Sequence, residues 1–305
     1  MLLTVTLNPA IDKRYVLGAL RPGEVLRVRE CVAGAGGKGL NVARAAAIAG
    51  EDVLATGICG GFAGQLLEAE LRKEGIPSCF LRCEAETRSC INIYDEAKDE
   101  QTELLEPGAA ITDAIWQGFL ALYTDLLKKA TVVTLSGSLP KNAPTDAYAT
   151  LVKAARTAGK PAILDTSGAA LQEGLQSSPT LIKPNIDEIA QRSAEDDPIP
   201  AAIALRAQGA ENVAISLGAE GALLATPAGV WRGKPPKIQA VNTVGCGDSM
   251  VAAFALSLAR GYSAPKMLQT AIALSCASAV HPRTGAYDPA IMEQIYPRCG
   301  IEKIV

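Results

Sequence analysis

The sequence predicts an α/β fold in which helices flank a central, mostly parallel sheet and a small second sheet lies beside it. Strand-like and helix-like segments alternate along most of the 305 residues, and such alternation is typical of a parallel sheet covered on both faces. Hydrophobic residues make up 49% of the chain, which is enough for an extensive core. Two strand-like segments with polar alternation lie outside this series and indicate the second sheet.

The first part of the chain contains elements of both sheets. Its predicted strands are 2–7, 13–17, 25–32, 52–58, 78–82, 88–95 and 101–105, and its predicted helices are 40–49 and 64–74. The last two strands resemble a hairpin around a charged turn. Together with residues 13–32 they could form the small sheet, in a position to cover a site.

The rest of the chain continues the alternating series. The predicted helices are 112–129, 144–158, one after Pro198, 247–260, 264–280 and 288–296, and the predicted strands are 131–136, 162–165, 180–183, 212–217 and 222–226. No internal repeat, low-complexity tract or long linker separates these elements. We therefore expect one domain over residues 1–305.

Composition and charge argue against several classes of protein. Lys and Arg number 29 against 32 Asp and Glu, which gives a net charge of −3 without a block of like charges. Nucleic acid and anionic membranes are therefore not expected partners. No secretory leader and no apolar stretch of about 18 residues is recognisable. The eight cysteines include no CxxC pair, so we expect reduced thiols and a cytoplasmic protein.

Histidine chemistry has little support, because His281 is the one histidine of the chain. A Ser-His-Asp triad or a multi-histidine metal site would have to be built around it. It follows an apolar helix-like stretch and precedes Pro282, and we interpret it as a helix-end residue.

The strongest local signal for chemistry is Gly245-Cys246-Gly247-Asp248, directly before an apolar stretch. Glycines at a helix start expose backbone N–H groups, and the helix dipole there favours an anion such as a transferring phosphoryl group. Asp248 in the first turn could accept the proton of an attacking hydroxyl. An ordinary helix start capped by Asp248 explains these residues equally well.

A second glycine-rich segment, residues 34–39, matches GxGxxG and precedes a helix. A dinucleotide fingerprint is disfavoured, because the loop does not follow the first strand and no suitably placed acidic residue follows it. A P-loop is also disfavoured, because Gly39 follows Lys38 where Ser or Thr would hold magnesium. The remaining interpretation is a close backbone approach to a ligand, with Lys38 and Asn41 available to its hydroxyls or phosphate.

Two further clusters fit nucleotide binding. The stretch 183–188 places Asn185 and Glu188 three residues apart at a strand-to-helix junction, where they could hold water-bound Mg²⁺ or form a capping box. The stretch 216–221 is either a hairpin turn or a loop against a nucleotide.

Taken in order, these motifs resemble the ribokinase-like, PfkB-type carbohydrate kinases, and more narrowly their phosphosugar branch of tagatose-6-phosphate kinases and 1-phosphofructokinases. The similarity covers nearly the whole chain. It rests on LTVTLNPAID near the start, GGKGLNVAR at 36–44, ETRSCINI at 86–93, LSGSLP at 135–140, IKPNIDE at 182–188, SLGAEGAL at 216–223 and VNTVGCGDSM at 241–250.

The resemblance implies an ATP-dependent kinase with a ribokinase-like central sheet and a β-sheet lid, with lid segments at about 12–34 and 87–106. It implies that Asp248 is the general base, with the amides of Gly245, Cys246 and Gly247 as an anion hole. The residues implied to bind the sugar phosphate are Asp12, Gly36, Gly37, Lys38, Asn41, Arg88 and Cys90. The residues implied to bind ATP are Lys183, Asn185, Ser216, Gly218, Ala219, Glu220, Gly221 and Gly247. Asn185 and Glu188 are implied to bind Mg²⁺, through water.

The acceptor suggested by the resemblance is tagatose 6-phosphate. Tagatose-6-phosphate kinases carry a cysteine two positions after the lid arginine, which Cys90 matches here, whereas 1-phosphofructokinases carry a lysine where this chain has Asn92. Fructose 1-phosphate is the alternative acceptor. A non-catalytic sugar-phosphate sensor on the same fold and a dinucleotide-dependent oxidoreductase are rivals of other classes. A polar lid strand can also pair with a second copy, and a homodimer is the interpretation we adopt.

Overall fold

Fourteen strands and ten α-helices are present in the residues that the computed structural model describes, 1–190 and 197–305. The strands are β1 Leu2–Thr6, β2 Ala10–Leu17, β3 Glu30–Gly36, β4 Val53–Gly60, β5 Ser78–Cys83, β6 Arg88–Asp95, β7 Glu100–Leu105, β8 Val132–Ser136, β9 Ala162–Asp165, β10 Leu181–Ile182, β11 Asn212–Ser216, β12 Ala222–Thr226, β13 Gly229–Lys234 and β14 Gly300–Lys303. The helices are α1 Lys38–Ile48, α2 Gly61–Lys73, α3 Asp113–Leu127, α4 Ala147–Thr157, α5 Gly168–Leu175, α6 Ile186–Ala190, α7 Pro198–Ala207, α8 Cys246–Ala259, α9 Ala264–Ala279 and α10 Pro289–Ile295.

The main sheet has ten strands in the order β14-β13-β12-β11-β10-β9-β8-β1-β4-β5. The strands from β11 to β5 run parallel, and β12, β13 and β14 add an antiparallel edge. Every residue of β1, β8 and β9 is buried. Such fully buried strands are typical of a parallel sheet covered on both faces, and the predicted fold class is confirmed.

Two layers of helices cover this sheet and give it two separate cores. Helices α1, α8 and α9 pack on one face, where α8 contributes a continuous buried stretch that includes Phe254. Helices α3 and α4 pack on the other face, where Phe119, Tyr123 and Tyr148 are fully buried. Both tyrosines donate their hydroxyl to a backbone carbonyl, so the burial of these polar groups is compensated.

The remaining four strands form a separate sheet, which we call the lid, in the order β3-β2-β6-β7. Strand β2 pairs antiparallel with β3 and parallel with β6, and β7 pairs antiparallel with β6. The strand predicted at 25–32 lies later in the chain, because β3 pairs with β2 from Glu30 to Gly36. Val25 lies before β3, is not paired with β2 and is 97% exposed.

Three elements were not predicted from the sequence, namely α5, β13 and β14. Helix α5 has only eight residues, which is too short for a clear helical period. Strands β13 and β14 are glycine-containing, charged strands at one side of the sheet, GVWRGK and GIEK, which have little alternation of their own. They form because β12 and β13 make a hairpin and β14 then adds to its edge.

Candidate active site

The base candidate, Asp248, lies in the first turn of α8 and is 6% exposed. The turn before it depends on Gly245, which has a left-handed φ of 82°. A methyl group at this position would also lie 2.6 Å from Thr284 Cγ2 and 3.0 Å from the amide nitrogen of Gly285. Gly245 is therefore needed for both the backbone conformation and the close packing that place Asp248.

Four side chains surround the carboxylate of Asp248. Asn41 Nδ2 donates to Asp248 Oδ2 over 2.8 Å. Asp165, at the end of β9 and 2% exposed, lies 3.6 Å from Lys38 Nζ and 3.5 Å from Lys183 Nζ. Two cations and two carboxylates thus meet at the carboxyl edge of the parallel sheet, where ligands bind in open α/β folds.

The pKa of Asp248 is raised to about 6, mainly by burial and secondly by the negative charge of Asp165. Lys38, Asn41 and Lys183 act in the opposite direction by stabilising the ionised form. The pKa of Lys38 is itself raised, chiefly by Asp165, so its ammonium group stays charged at neutral pH. An aspartate with a raised pKa near neutral pH is suited to general base catalysis.

This electrostatic arrangement predicts an acid limb in the pH profile of the reaction. If Asp248 is the base that the resemblance implies, it must be ionised, and we expect kcat of the implied reaction at saturating substrates to fall about tenfold per pH unit below about pH 6. An ordinary exposed aspartate would give this limb near its usual pKa of about 4. Steady-state kinetics between about pH 5 and 8 test the prediction, with circular dichroism as the control for folding. A flat profile over this range contradicts it.

The predicted anion hole is only partly available in the structure. The amide of Cys246 donates to the carbonyl of Thr243 over 3.3 Å, so it is already engaged. A methyl group at Gly247 would lie 3.3 Å from Lys183 Nζ, so the Gly247 backbone and the ammonium group border the same space. Burial raises the pKa of the Cys246 thiol to about 11. The thiol is therefore protonated at neutral pH, and Cys246 fits here as a small filler rather than a reactive group.

Four of the predicted sugar-binding residues lie at the base of the lid, namely Asp12, Gly36, Arg88 and Cys90. Asp12 on β2 lies opposite Gly34 of β3 and Cys90 of β6. Its carboxyl group sits directly over Gly36, where any side chain would overlap it. The pKa of Asp12 is raised to about 6, because the effect of burial outweighs the lowering by the charges of Arg44 and Arg88.

Arg88 joins the lid to the main sheet. Its guanidinium donates to the carbonyl of Glu106 over 2.9 Å and to the carbonyl of Asn8, just after β1, over 3.1 Å. The Asn8 side chain in turn donates to the Pro107 and Leu139 carbonyls. Arg88 and Asn8 therefore connect the lid to the segments that follow β1 and β8.

The predicted nucleotide and metal residues lie further along the same edge of the sheet. Asn185 Oδ1 accepts from the amide of Glu188 over 2.8 Å, and Glu188 Oε2 accepts from the amide of Asn185 over 3.0 Å. This is the capping box that the sequence left open as an alternative. Asn185 also bridges to Ser216, and Gly218–Glu220 form a 3₁₀ turn before Gly221. The stretch 216–221 is therefore the turn of a hairpin between β11 and β12.

A magnesium ion would fit this arrangement through water and phosphate oxygens. Within residues 1–190 and 197–305, no three His, Cys, Asp or Glu side chains converge as a metal cluster. Mg²⁺ commonly keeps several waters and takes one or two carboxylates beside substrate phosphates. Glu188 would supply such a carboxylate, because it is close enough to the centre of the site for its negative charge to raise the pKa of Lys38.

Three residues of this site were not assigned from the sequence. Asp165 ends a buried strand at the carboxyl edge of the sheet, a position that could have identified it. Asn8 and Arg44 lie within motifs that were recognised, but their partners are up to 240 positions away in the chain. The roles expected for the assigned residues remain predictions, although the structure brings Asn41, Lys38, Lys183 and Asp248 together.

Comparison with known proteins identifies the family. The model of the pfkB family of carbohydrate kinases matches residues 5–291. The chain belongs to this family. The resemblance drawn from the motifs is therefore confirmed, and so is the expected activity of an ATP-dependent sugar-phosphate kinase.

Solved structures of other kinases match along nearly the whole chain. Phosphofructokinase-2 from Escherichia coli is 30% identical, with 97% of this chain and 98% of that chain covered and a TM-score of 0.90. A possible 1-phosphofructokinase from Thermotoga maritima is 27% identical, with 100% of both chains covered and a TM-score of 0.90. Ribokinase from Arabidopsis thaliana is 21% identical with a TM-score of 0.79 over 97% of this chain and 98% of that one, which supports the fold alone. Among the described helices of this pfkB kinase, none is both long and apolar enough to cross a bilayer.

Proposed function

We propose that this chain transfers the γ-phosphoryl group of ATP to a primary hydroxyl of a ketohexose phosphate, with tagatose 6-phosphate as the preferred acceptor. The observation that carries the proposal is the buried carboxylate of Asp248 at the start of α8, hydrogen-bonded by Asn41 and faced by two lysines. A base, an amide that orients it and cations for the phosphates are the groups that in-line phosphoryl transfer requires.

In this proposal Asp248 takes the proton of the acceptor hydroxyl as its oxygen attacks the γ-phosphorus. The bond from the γ-phosphorus to the bridging oxygen breaks, and ADP leaves with that electron pair. Lys38, Lys183 and the Gly247 amide offset the negative charge on the transferring group. Mg²⁺, held by ATP phosphates, water and Glu188, would supply further charge neutralisation. The lid, pivoting near Arg88, would exclude water from the closed site.

Two lid features support a phosphorylated ketohexose as the acceptor. Asp12 offers a carboxylate to sugar hydroxyls, and Arg88 offers a cation beside it. Cys90 pairs with Asp12 in the register of β2 and β6. The cysteine that matches the motif of tagatose-6-phosphate kinases therefore lies beside the proposed sugar site. Asn92 is bonded to Gln101 on the exposed hairpin and supplies no cation. Fructose 1-phosphate is the second candidate, favoured by the full-length similarity to the Thermotoga protein.

A coupled ADP-release assay tests the proposal. We expect the highest kcat/KM with tagatose 6-phosphate, lower values with fructose 1-phosphate and fructose 6-phosphate, and little turnover of unphosphorylated hexoses. Higher kcat/KM with fructose 1-phosphate overturns the tagatose assignment but not the reaction. Binding of a sugar phosphate in calorimetry without ADP release in the presence of any of these acceptors favours a sensor.

The use of ATP as the phosphoryl donor also supports the cytoplasm as the location of the protein.

A homodimer that forms through the lid is also part of the proposal. The lid and its connecting segment carry five exposed large hydrophobic residues, namely Val25, Val28, Val32, Leu104 and Leu105. Exposed apolar groups that recur over one small sheet and its connecting segment are typical of an interaction surface. We expect a dimer in light scattering and a monomer for the double variant Leu104→Asp, Leu105→Asp. The variant Ile203→Asp, which changes an exposed residue of α7, should remain dimeric. A monomeric wild type contradicts this prediction.

A further inference from the structure

We infer that Arg44 is a positioning residue for the reaction, because it fixes the side-chain amide of Asn41 in the one orientation that donates a hydrogen bond to Asp248. The inference rests on the proposed role of Asp248 as the base. Arg44 is 5% exposed and lies one turn beyond Asn41 on α1. Its guanidinium donates to Asn41, Ala35 and Glu74, so it acts through other residues.

The hydrogen bonds define a continuous chain from Arg44 to the base. Arg44 Nη1 donates to Asn41 Oδ1 over 2.8 Å, and Asn41 Nδ2 donates to Asp248 Oδ2 over 2.8 Å. All three residues are at least nine-tenths buried. Arginine carries donors only, so the amide oxygen of Asn41 must face it and the amide nitrogen must face the carboxylate.

This orientation matters because an asparagine amide can present either end to a carboxyl group. With its nitrogen forward, it stabilises the ionised aspartate that can accept a proton. With its oxygen forward, it would repel the ionised form and accept a hydrogen bond from the protonated form, which cannot act as a base. Arg44 selects the first arrangement. Asp165, Lys38 and Lys183 are the other charged groups that influence Asp248, and none of them holds this amide.

The other donors of Arg44 connect the same residue to two further parts of the site. Nη2 donates to the carbonyl of Ala35, directly before Gly36 at the base of the lid, over 2.8 Å. Nη1 also reaches the carbonyl of Thr284 over 3.3 Å, in the segment that packs against Gly245. Arg44 therefore ties the base, the lid and the turn before α8 to one guanidinium group.

Glu74 holds Arg44 from the outer side. Its Oε2 accepts from Arg44 Nε over 2.7 Å, and the exposed Arg283 pairs with the same carboxylate. These three side chains line a cavity of about 460 Å³ that opens to the surface. The cavity offers a route by which a small cation could reach the position of the Arg44 guanidinium.

The test combines substitution with chemical rescue. We expect Arg44→Ala to lower kcat about 10- to 100-fold while KM for ATP and sugar phosphate changes only a few-fold. Millimolar methylguanidinium, entering through the cavity, should restore part of kcat. Arg283→Met is the matched control, since it removes the other guanidinium on Glu74 and should leave kcat within about twofold.

A double-mutant cycle and a second variant keep the inference testable if Arg44→Ala is poorly folded. Arg44→Lys retains a positive charge against Glu74 but cannot serve several acceptors at once, so we expect an intermediate loss of kcat. Arg44→Lys and Asn41→Ala should be non-additive, because both interrupt one chain. Additive losses, or wild-type kcat in a folded Arg44 variant, overturn the inference. If Asp248→Asn retains turnover, Asp248 is not the base, and the positioning role of Arg44 is then overturned as well.

Discussion

Replacement of Asp248 by asparagine is expected to lower kcat by about 10² to 10⁴-fold, the range associated with loss of a general base. Asparagine has the same shape and keeps an oxygen that can accept from Asn41 Nδ2, so the site should remain assembled. Because the substitution removes proton acceptance and little else, KM for ATP and for sugar phosphate should change only a few-fold. Steady-state kinetics with both substrates, supported by calorimetric binding, measure this result.

The stability of the same variant provides an internal control. The pKa of Asp248 in the folded protein is about 6, above the value of about 3.8 expected in the unfolded chain. An ionised Asp248 therefore costs the folded state stability above pH 6, and this cost disappears as the pH falls towards the unfolded value. Asp248→Asn removes it, so the variant should melt no lower than wild type at about pH 8.

A matched aspartate separates the chemical role from a helix-capping role. Asp113 occupies the first turn of α3, as Asp248 does in α8, but it is exposed. We expect Asp113→Asn to leave kcat unchanged, with at most a small effect of the helix dipole on stability. If Asp248→Asn keeps turnover within about tenfold of wild type while both substrates bind, then Asp248 is not the base.

The second large effect is expected at Gly36. A methyl group there would overlap the carboxyl group of Asp12, which must then move away from the sugar site. Since the clash is with a side chain that can rotate, the fold should survive while the carboxylate is misplaced. A displacement of about 1 Å can cost about 10²-fold in catalysis. We therefore expect kcat/KM for the sugar phosphate to fall about 100-fold or more in Gly36→Ala.

Gly34 supplies the matched control on the same strand. It also lies opposite Asp12 in the pairing of β2 and β3, yet a methyl group there would contact nothing within 4 Å. Gly34→Ala should keep kcat/KM within about twofold of wild type, and KM for ATP should be similar in both variants. Equal losses of kcat/KM in the two variants would show that β3 tolerates no added side chain at either position. The loss in Gly36→Ala could then not be attributed to displacement of the Asp12 carboxyl group.

Local sequence patterns were sufficient for most of the main sheet. Strands such as β1, β8 and β9 are apolar runs that end at short turns, and they alternate with helices long enough to show a period. The lid hairpin was also recognisable, because two polar-alternating strands flank a charged turn. Strand β3 was misplaced, since its bounds depend on the register with β2 and not on its own residues.

The candidate site followed from motifs where its chemistry is local. The glycines before Asp248 and the pair Asn185 and Glu188 are each recognisable within a few residues of sequence. The spacing of Asn185 and Glu188 suits both a capping box and a metal-binding pair, and only the folded structure reveals the reciprocal hydrogen bonds. The partners of Arg44 are likewise not recognisable from its own segment, because they lie far away in the chain.

The sequence by itself therefore determined the fold class, the family and most of the polar residues of the candidate site, because these depend on periodicity and on short motifs. Only the tertiary structure decided how those residues act on one another. Asn41 and Asp248 are 207 positions apart and meet only when α1 and α8 pack side by side. Asp165 comes near Lys38 and Lys183 only at the carboxyl edge of the sheet. Burial and charge, which raise the pKa of Asp248, are properties of that assembly and not of any segment.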